Sequence, residues 1–181
     1  MQPEDAWKVL EEADLLCDAQ TVNDALRRLG RQITERLRDS NPLVLVVMRG
    51  GVLFAGQLLP LLRFPLDLDY VHATRYHDTT AGGALEWRIH PPEAVKGRDV
   101  LVLDDILDAG DTLAAIRERV AAMGARSCWV AVLTEKKSGR RKNSAADFVG
   151  LELPDRYVFG CGLDVEGAWR NLPDIYALRN G

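Results

Sequence analysis

The sequence predicts an α/β fold with a mostly parallel, twisted sheet flanked by helices. Three observations predict it. Leu43–Met48 (LVLVVM), Val100–Leu103 (VLVL) and Cys128–Leu133 (CWVAVL) are continuous apolar runs rich in Val and Leu, the pattern of strands buried on both faces. The first two each lead through a glycine-bearing turn into a stretch of helical periodicity. Strand, turn, helix and strand then recur without an internal repeat, a linker or a low-complexity segment, so one domain over residues 1–181 is expected.

Each element follows in order. Residues 3–39 carry a helical pattern, with Val9, Leu10, Ala13, Leu16 and Cys17, then Val22, Ala25, Leu26, Leu29, Ile33 and Leu37, spaced by three and four. A second helix restarts near Thr21, and Asn41-Pro42 ends the helical region. After the Leu43 run come Arg49-Gly50-Gly51 and a helical pattern from Val52 to Leu62. Pro65–Tyr76 alternates as a strand does, and His77–Pro92 is polar with Gly82-Gly83 at its middle, which suits a hairpin or a lid. Asp108, Gly110 and Asp111 form a turn before a helix over Thr112–Met123, closed by Gly124. Lys136–Ala145 reads as a basic loop, Phe148–Leu153 and Tyr157–Phe159 as short strands, and Gly160–Gly181 as a tail of mixed character.

Composition excludes several classes. The chain has 181 residues, 47% hydrophobic and 28% charged, which is globular and rich enough for a core without disulfides. A net charge of −4 argues against a surface that wraps nucleic acid. Three cysteines without a CxxC pair predict a reduced, cytoplasmic protein with no zinc site. The acidic start MQPEDAWKVL is unlike a signal peptide, and Leu43–Phe64 is too interrupted by polar residues, Gly and Pro to span a membrane.

The chemistry is concentrated in Val100-Leu-Val-Leu-Asp-Asp-Ile-Leu-Asp-Ala-Gly-Asp-Thr112. A turn opening a helix aims unpaired backbone N–H groups at one spot, which suits an anion. Gly110 lets the backbone come close, and the Thr112 hydroxyl adds a donor. Asp104 and Asp105 do not bind phosphate directly; they suit vicinal sugar hydroxyls or a Mg²⁺ that carries pyrophosphate. Asp108 is available as a general base. Hydroxyls, a phosphate and a metal together describe a phosphorylated ribose. There is no GxxxxGK[ST], so a Walker-type nucleotide triphosphatase is disfavoured.

This segment resembles the phosphoribosyl-pyrophosphate signature of the type I phosphoribosyltransferases. The resemblance implies that Asp104 and Asp105 hold the ribose hydroxyls and that Ala109, Gly110, Asp111 and Thr112 cradle the 5′-phosphate. Three further segments resemble the hypoxanthine-guanine (6-oxopurine) branch, and the likeness spans about Leu43 to Leu178. Met48-Arg49-Gly50-Gly51 resembles its pyrophosphate loop, with Arg49 where Lys is usual, and implies a cis Met48–Arg49 peptide. In Leu133-Thr-Glu-Lys-Lys137 the resemblance favours Lys136 as the donor to the purine O6, with Lys137 as its competitor. Tyr157-Val-Phe-Gly-Cys-Gly-Leu-Asp164 and Trp169-Arg170-Asn171-Leu172-Pro173 resemble its closing segment. By that match Tyr157 stacks on the base, the Val158 backbone reads its edge, Asp164 helps hold Mg²⁺ with Asp104 and Asp105 acting through water, and Arg170 meets pyrophosphate with Arg49 and Gly50.

The resemblance therefore implies a type I phosphoribosyltransferase-like fold with a helical elaboration at 1–39, a mobile lid at 75–90 and a base-binding hood at 148–181. It implies a cytoplasmic, homo-oligomeric purine-salvage enzyme that uses Mg²⁺, phosphoribosyl pyrophosphate and hypoxanthine or guanine. Ala109 stands where Ser or Thr is common, Asp111 adds a negative charge beside the phosphate turn, and Arg75-Tyr76 replaces a Ser-Tyr pair in the lid. Two other readings stand beside it: a transferase for xanthine or another base, and a non-catalytic regulator that binds nucleotide or RNA through Lys136-Lys-Ser-Gly-Arg-Arg-Lys142.

Overall fold

A computed structural model of the chain describes residues 1–75 and 85–179. Four helices, α1 (Pro3–Glu12), α2 (Ala19–Leu37), α3 (Gly51–Leu58) and α4 (Asp111–Ala122), pack with strands β1 (Asp14–Cys17), β2 (Leu43–Val47), β3 (Asp67–Arg75), β4 (Leu85–Ile89), β5 (Asp99–Leu107), β6 (Ser127–Lys137), β7 (Phe148–Pro154), β8 (Val158–Phe159) and β9 (Ile175–Ala177). Six strands form the main sheet in the order β4-β3-β2-β5-β6-β7. Its pairings are parallel except for β3 with β4. The expected mostly parallel sheet is therefore present, with one antiparallel edge.

The apolar runs supply both faces of this sheet. Val44, Val46, Leu101, Leu103 and Leu133 face one side, under α2 and α3. Leu43, Leu45, Val100, Val102 and Val132 face the other, under Leu113, Ile116 and Val120 of α4. Alternation along a strand with period two divides one run between two cores. On α2 the apolar positions read from the sequence are the buried ones, Val22 to Leu37, and each such side chain contributes roughly 1.5–3 kcal/mol on full burial. Asp18 caps α2 by accepting from the Thr21 N–H at 2.8 Å.

One correction and one addition concern the termini. Residues 3–39 are not wholly helical: Asp14–Cys17 is a strand between α1 and α2. Within the tail of mixed character, Ile175–Ala177 forms β9 and joins a second, three-stranded sheet in the order β1-β9-β8. Both chain ends thus build one small sheet beside the main one. Helix α1 buries none of its residues. It is held by Trp7 packing edge-on against Trp169, with ring centroids 4.9 Å apart, and by Trp169 Nε1 donating to the Ala6 carbonyl at 2.8 Å.

Two strands run further than their apolar runs. β5 continues through Asp104 and Asp105 to Leu107, and β6 continues through Lys136 and Lys137. The acidic pair therefore lies inside a strand, and the two lysines are strand residues, not loop residues. The lid expected at 75–90 is described only at its borders, where β3 and β4 pair antiparallel. Residues 76–84, with Tyr76 and Gly82-Gly83, lie outside the described residues. Among the described residues no helix is long and apolar enough to cross a membrane.

Candidate active site

The carboxyl end of the parallel sheet is where the chemistry collects, as expected for an open α/β sheet. β2 ends its pairing with β5 at Val46 opposite Leu103. From Asp104 onward that edge of β5 faces the Arg49-Gly50-Gly51 turn instead of a strand. The fit is tight: a Cβ at Gly50 would stand 1.9 Å from Asp105 Oδ2, so a side chain there would displace the acid. A Cβ at Gly162 would meet the Gly50 carbonyl oxygen at 2.5 Å, which brings the C-terminal segment against the same point. The Met48–Arg49 peptide is cis.

Beside the acidic pair lies an open cavity of about 510 Å³. Its walls carry Arg49 and Gly50 from the first turn, Asp104, Asp105 and Asp108 from β5 and its end, the turn Ala109–Thr112, and Asp164 with Arg170. Gly110 adopts φ +83° at the mouth of α4, a left-handed conformation that costs glycine little. Gly110 to Leu113, the first turn of α4, line this cavity, so a helix N-terminus stands at its wall. A smaller cavity of about 190 Å³ adjoins it, lined by Asp105, Ile106, Asp108, Lys136, Tyr157, Val158, Leu163 and Asp164. Asp105, Ile106, Asp108 and Asp164 belong to both.

Asp104 and Asp105 are each only 8% exposed. Burial raises both carboxyls above the ordinary range, and for Asp104 the neighbouring Asp105 adds to the rise. Arg170 works against this on Asp105, with Nη1 3.9 Å from its Oδ2. The same guanidinium pairs with Asp164 and donates to the Gly162 carbonyl at 2.6 Å. Asp164 also accepts from the Gly167 N–H at 2.7 Å. Thr134 Oγ1 donates to the Asp105 carbonyl at 2.9 Å and fixes the backbone beneath the pair.

β6 separates the two candidate lysines. Lys136 turns inward: its side chain is 14% exposed, and Nζ sits 3.1 Å from Asp108 Oδ2. Lys137 faces the other way and pairs with Glu152 at 2.9 Å. Tyr157 is half exposed at the rim of the small cavity, and burial with the nearby Asp164 and Glu166 carboxylates raises its phenol. Val158 is buried behind it.

All the residues singled out from the sequence thus line one of two joined cavities, with Lys137 set apart. The sequence reading did not find His72, which lines the larger cavity and whose imidazole is pushed down by burial, then by Arg88 and Arg49. Nor did it find Thr134, although a threonine inside an apolar strand run is a visible signal. Asn143, which donates its side-chain amide to the Asp111 carboxylate, carried no signal at all. Among the described residues no three His, Cys, Asp or Glu side chains meet as a ready metal cage.

A mostly parallel sheet with a glycine turn opening a helix, a buried acid pair and an adjoining side cavity is the arrangement of a phosphoribosyltransferase-type domain. Residues 13–166 match the phosphoribosyl transferase domain family. The chain is 32% identical to a hypoxanthine-guanine phosphoribosyltransferase of Bacillus subtilis over 91% of its own length and 92% of that protein's. In structure it is similar to a hypoxanthine phosphoribosyltransferase of Staphylococcus aureus (TM-score 0.86, 28% identity, 93% of each chain covered). It is also similar to one of Trypanosoma cruzi (TM-score 0.85, 27% identity, 93% and 97% covered). The chain belongs to the phosphoribosyltransferase family, in its hypoxanthine-guanine branch.

Proposed function

We propose that this chain moves the 5-phosphoribosyl group from phosphoribosyl pyrophosphate to hypoxanthine or guanine, giving the nucleoside monophosphate and pyrophosphate. The observation that carries the reading is the Lys136–Asp108 pair, 3.1 Å apart, standing where the two cavities join. A donor and an acceptor side by side match the O6 and N7 edge of a 6-oxopurine. The phosphate turn 109–112 then takes the 5′-phosphate, and Arg49, Gly50 and Arg170 take the pyrophosphate. Asp104 and Asp105 take the ribose hydroxyls. Tyr157 covers the face of the base, and the Val158 backbone meets its edge.

In this arrangement N9 of the base attacks C1′ of the sugar as the C1′–pyrophosphate bond breaks. The proton on N7 passes to Asp108, which lies at the base edge. The arginines face the charge that grows on the leaving pyrophosphate. Mg²⁺ fits this donor set, because the acids offer only oxygen and, among the described residues, Arg170 is the cation set against the buried pair, at Asp105. Asp164 would hold the ion, with Asp104 and Asp105 through water. When bound, it neutralises charge on pyrophosphate.

Lys136 gives the base preference a physical cause. An ammonium has donors only. It pairs with a carbonyl at position 6 and leaves an amino group there unmatched, at a cost of about 1–3 kcal/mol or more. Pyrophosphate release should therefore be measured with hypoxanthine, guanine, xanthine and adenine, with Mg²⁺ and phosphoribosyl pyrophosphate present. Turnover is expected with the first two and at least tenfold less with adenine, by about that cost. Equal use of adenine would overturn the reading, and turnover with xanthine alone would transfer it to another base.

The reading extends to self-association. Val52, Leu68 and Tyr70 are exposed apolar side chains on α3 and β3, and sedimentation equilibrium tests whether they are covered by a second copy.

A further inference from the structure

Within the basic stretch 136–142, Lys136 and Lys142 turn inward, while Lys137, Arg140 and Arg141 stay exposed. Lys136 faces Asp108, Lys137 pairs with Glu152, and Arg140 lies 3.6 Å from Asp155. Lys142 turns back toward the sheet, its side chain only 15% exposed. Its ammonium reaches three acceptors: Glu135 Oε1 at 2.8 Å, the Lys136 carbonyl at 2.7 Å and the Leu107 carbonyl at 3.4 Å. Three donors meet three acceptors, so the group is saturated. The pairing is strong enough to hold the Glu135 carboxyl below its ordinary range.

The position of these acceptors matters more than their number. Leu107 ends β5 and directly precedes Asp108. Lys136 lies near the end of β6. One ammonium therefore spans the two strand ends that carry the base-facing pair. The next residue continues along the phosphate turn. The Asn143 N–H donates to the Ala109 carbonyl at 2.9 Å, and its side-chain amide donates to the Asp111 carboxylate. The following backbone closes on Gly110, where a Cβ would stand 2.9 Å from the Ser144 nitrogen.

We propose that Lys142 and Asn143 form a positioning clamp, in which Lys142 sets the spacing of Asp108 and Lys136 for the base and Asn143 restrains Asp111 at the phosphate turn. The clamp rests on the reading of those subsites given above. It also explains how this chain carries an acid at 111: a neutral amide donor engages the carboxylate beside a site built for an anion. A loop that was only tied down for stability would loosen both subsites together. A clamp with two arms separates them.

The test compares steady-state constants for four variants with the wild-type chain. Lys142→Met keeps the apolar stem and removes the ammonium. It should raise the hypoxanthine KM by about tenfold while the phosphoribosyl pyrophosphate KM stays within about twofold, and Lys142→Arg should restore most of the loss. Asn143→Ala keeps the backbone bond to Ala109. It should weaken phosphoribosyl pyrophosphate about tenfold and leave hypoxanthine unaffected, and adding Asp111→Asn should recover that loss. Parallel changes in both constants, or no change, overturn the clamp. If Lys142→Met does not fold, the Asn143→Ala and Asp111→Asn pair still decides the phosphate arm, and Lys142→Gln, which also removes the charge, decides the base arm by the same rise in hypoxanthine KM. A wild type without turnover would sink the activity reading alone. The clamp is then read from hydrogen exchange at residues 108–112, faster in Lys142→Met and Asn143→Ala if it exists and unchanged if it does not.

Discussion

Asp108 and Lys136 are an acid and a base held 3.1 Å apart. In the proposed function, an incoming 6-oxopurine replaces each partner with one of its own atoms. This makes Asp108 the residue whose loss should separate chemistry from binding. Asp108→Asn keeps the shape of the side chain and removes the proton acceptor. Turnover with hypoxanthine should fall by about 10²–10⁴, while the dissociation constant of inosine monophosphate changes little. A stopped assay beside calorimetry checks both. Full activity in the variant would remove Asp108 as the acceptor. Asp108 was legible in the sequence because the thirteen residues from Val100 to Thr112 form one pattern. The choice of Lys136 over Lys137 rested on the resemblance and was not legible in the residue pattern itself. It depends on which face of β6 each occupies, and the sequence reading ended that strand before either lysine.

Strand ends are where sequence reading loses the elements. β5 and β6 were traced by their apolar runs, and the charged residues at 104, 105, 135 and 136 looked like exits from the sheet. They stay in the strands because parallel pairing continues past the core, to Leu107 opposite Glu135. Charged side chains in paired strands are costly unless matched, so they cluster where a ligand or a partner meets them. The opposite end of the same two strands shows the matched case. Asp99 accepts from Arg126 Nε at 3.0 Å and from Ser127 Oγ at 2.7 Å. The Arg126 guanidinium, then Ser127, holds the Asp99 carboxyl below 3.8. A carboxyl lowered by folding adds stability above its unfolded value, and that stability is lost as pH falls through the folded value. Asp99→Asn should therefore lower the melting temperature at pH 7 by about 1–4 °C. The gap to wild type should close as pH drops below 3.8. A gap that persists in acid would show that the contact acts through shape and not charge.

At the scale of the whole molecule, the main sheet makes the cavity proposed for the phosphate, and the two chain termini stand behind the one proposed for the base. α2 could be read from the sequence because its helical period is local. β1 and β9 could not, because strands this short are defined by each other, and Asp14 pairs with Ala177 across almost the entire chain. That pairing reaches the site. Arg156, next to Tyr157, donates to Asp14 Oδ2 at 2.6 Å and to the Leu178 carbonyl at 2.7 Å, and Arg179 holds the other Asp14 oxygen at 2.9 Å. Asp14 is thus the residue through which the N-terminal segment holds the wall behind Tyr157. Asp14→Ala removes both arginine contacts without touching the cavity itself. The hypoxanthine KM should rise by about two- to fivefold, the range for a partly exposed ion pair, with the phosphoribosyl pyrophosphate KM unchanged. Equal shifts in both constants would mean that the small sheet supports the molecule as a whole. No shift in either would mean that the wall behind Tyr157 stands on β8 and β9 alone.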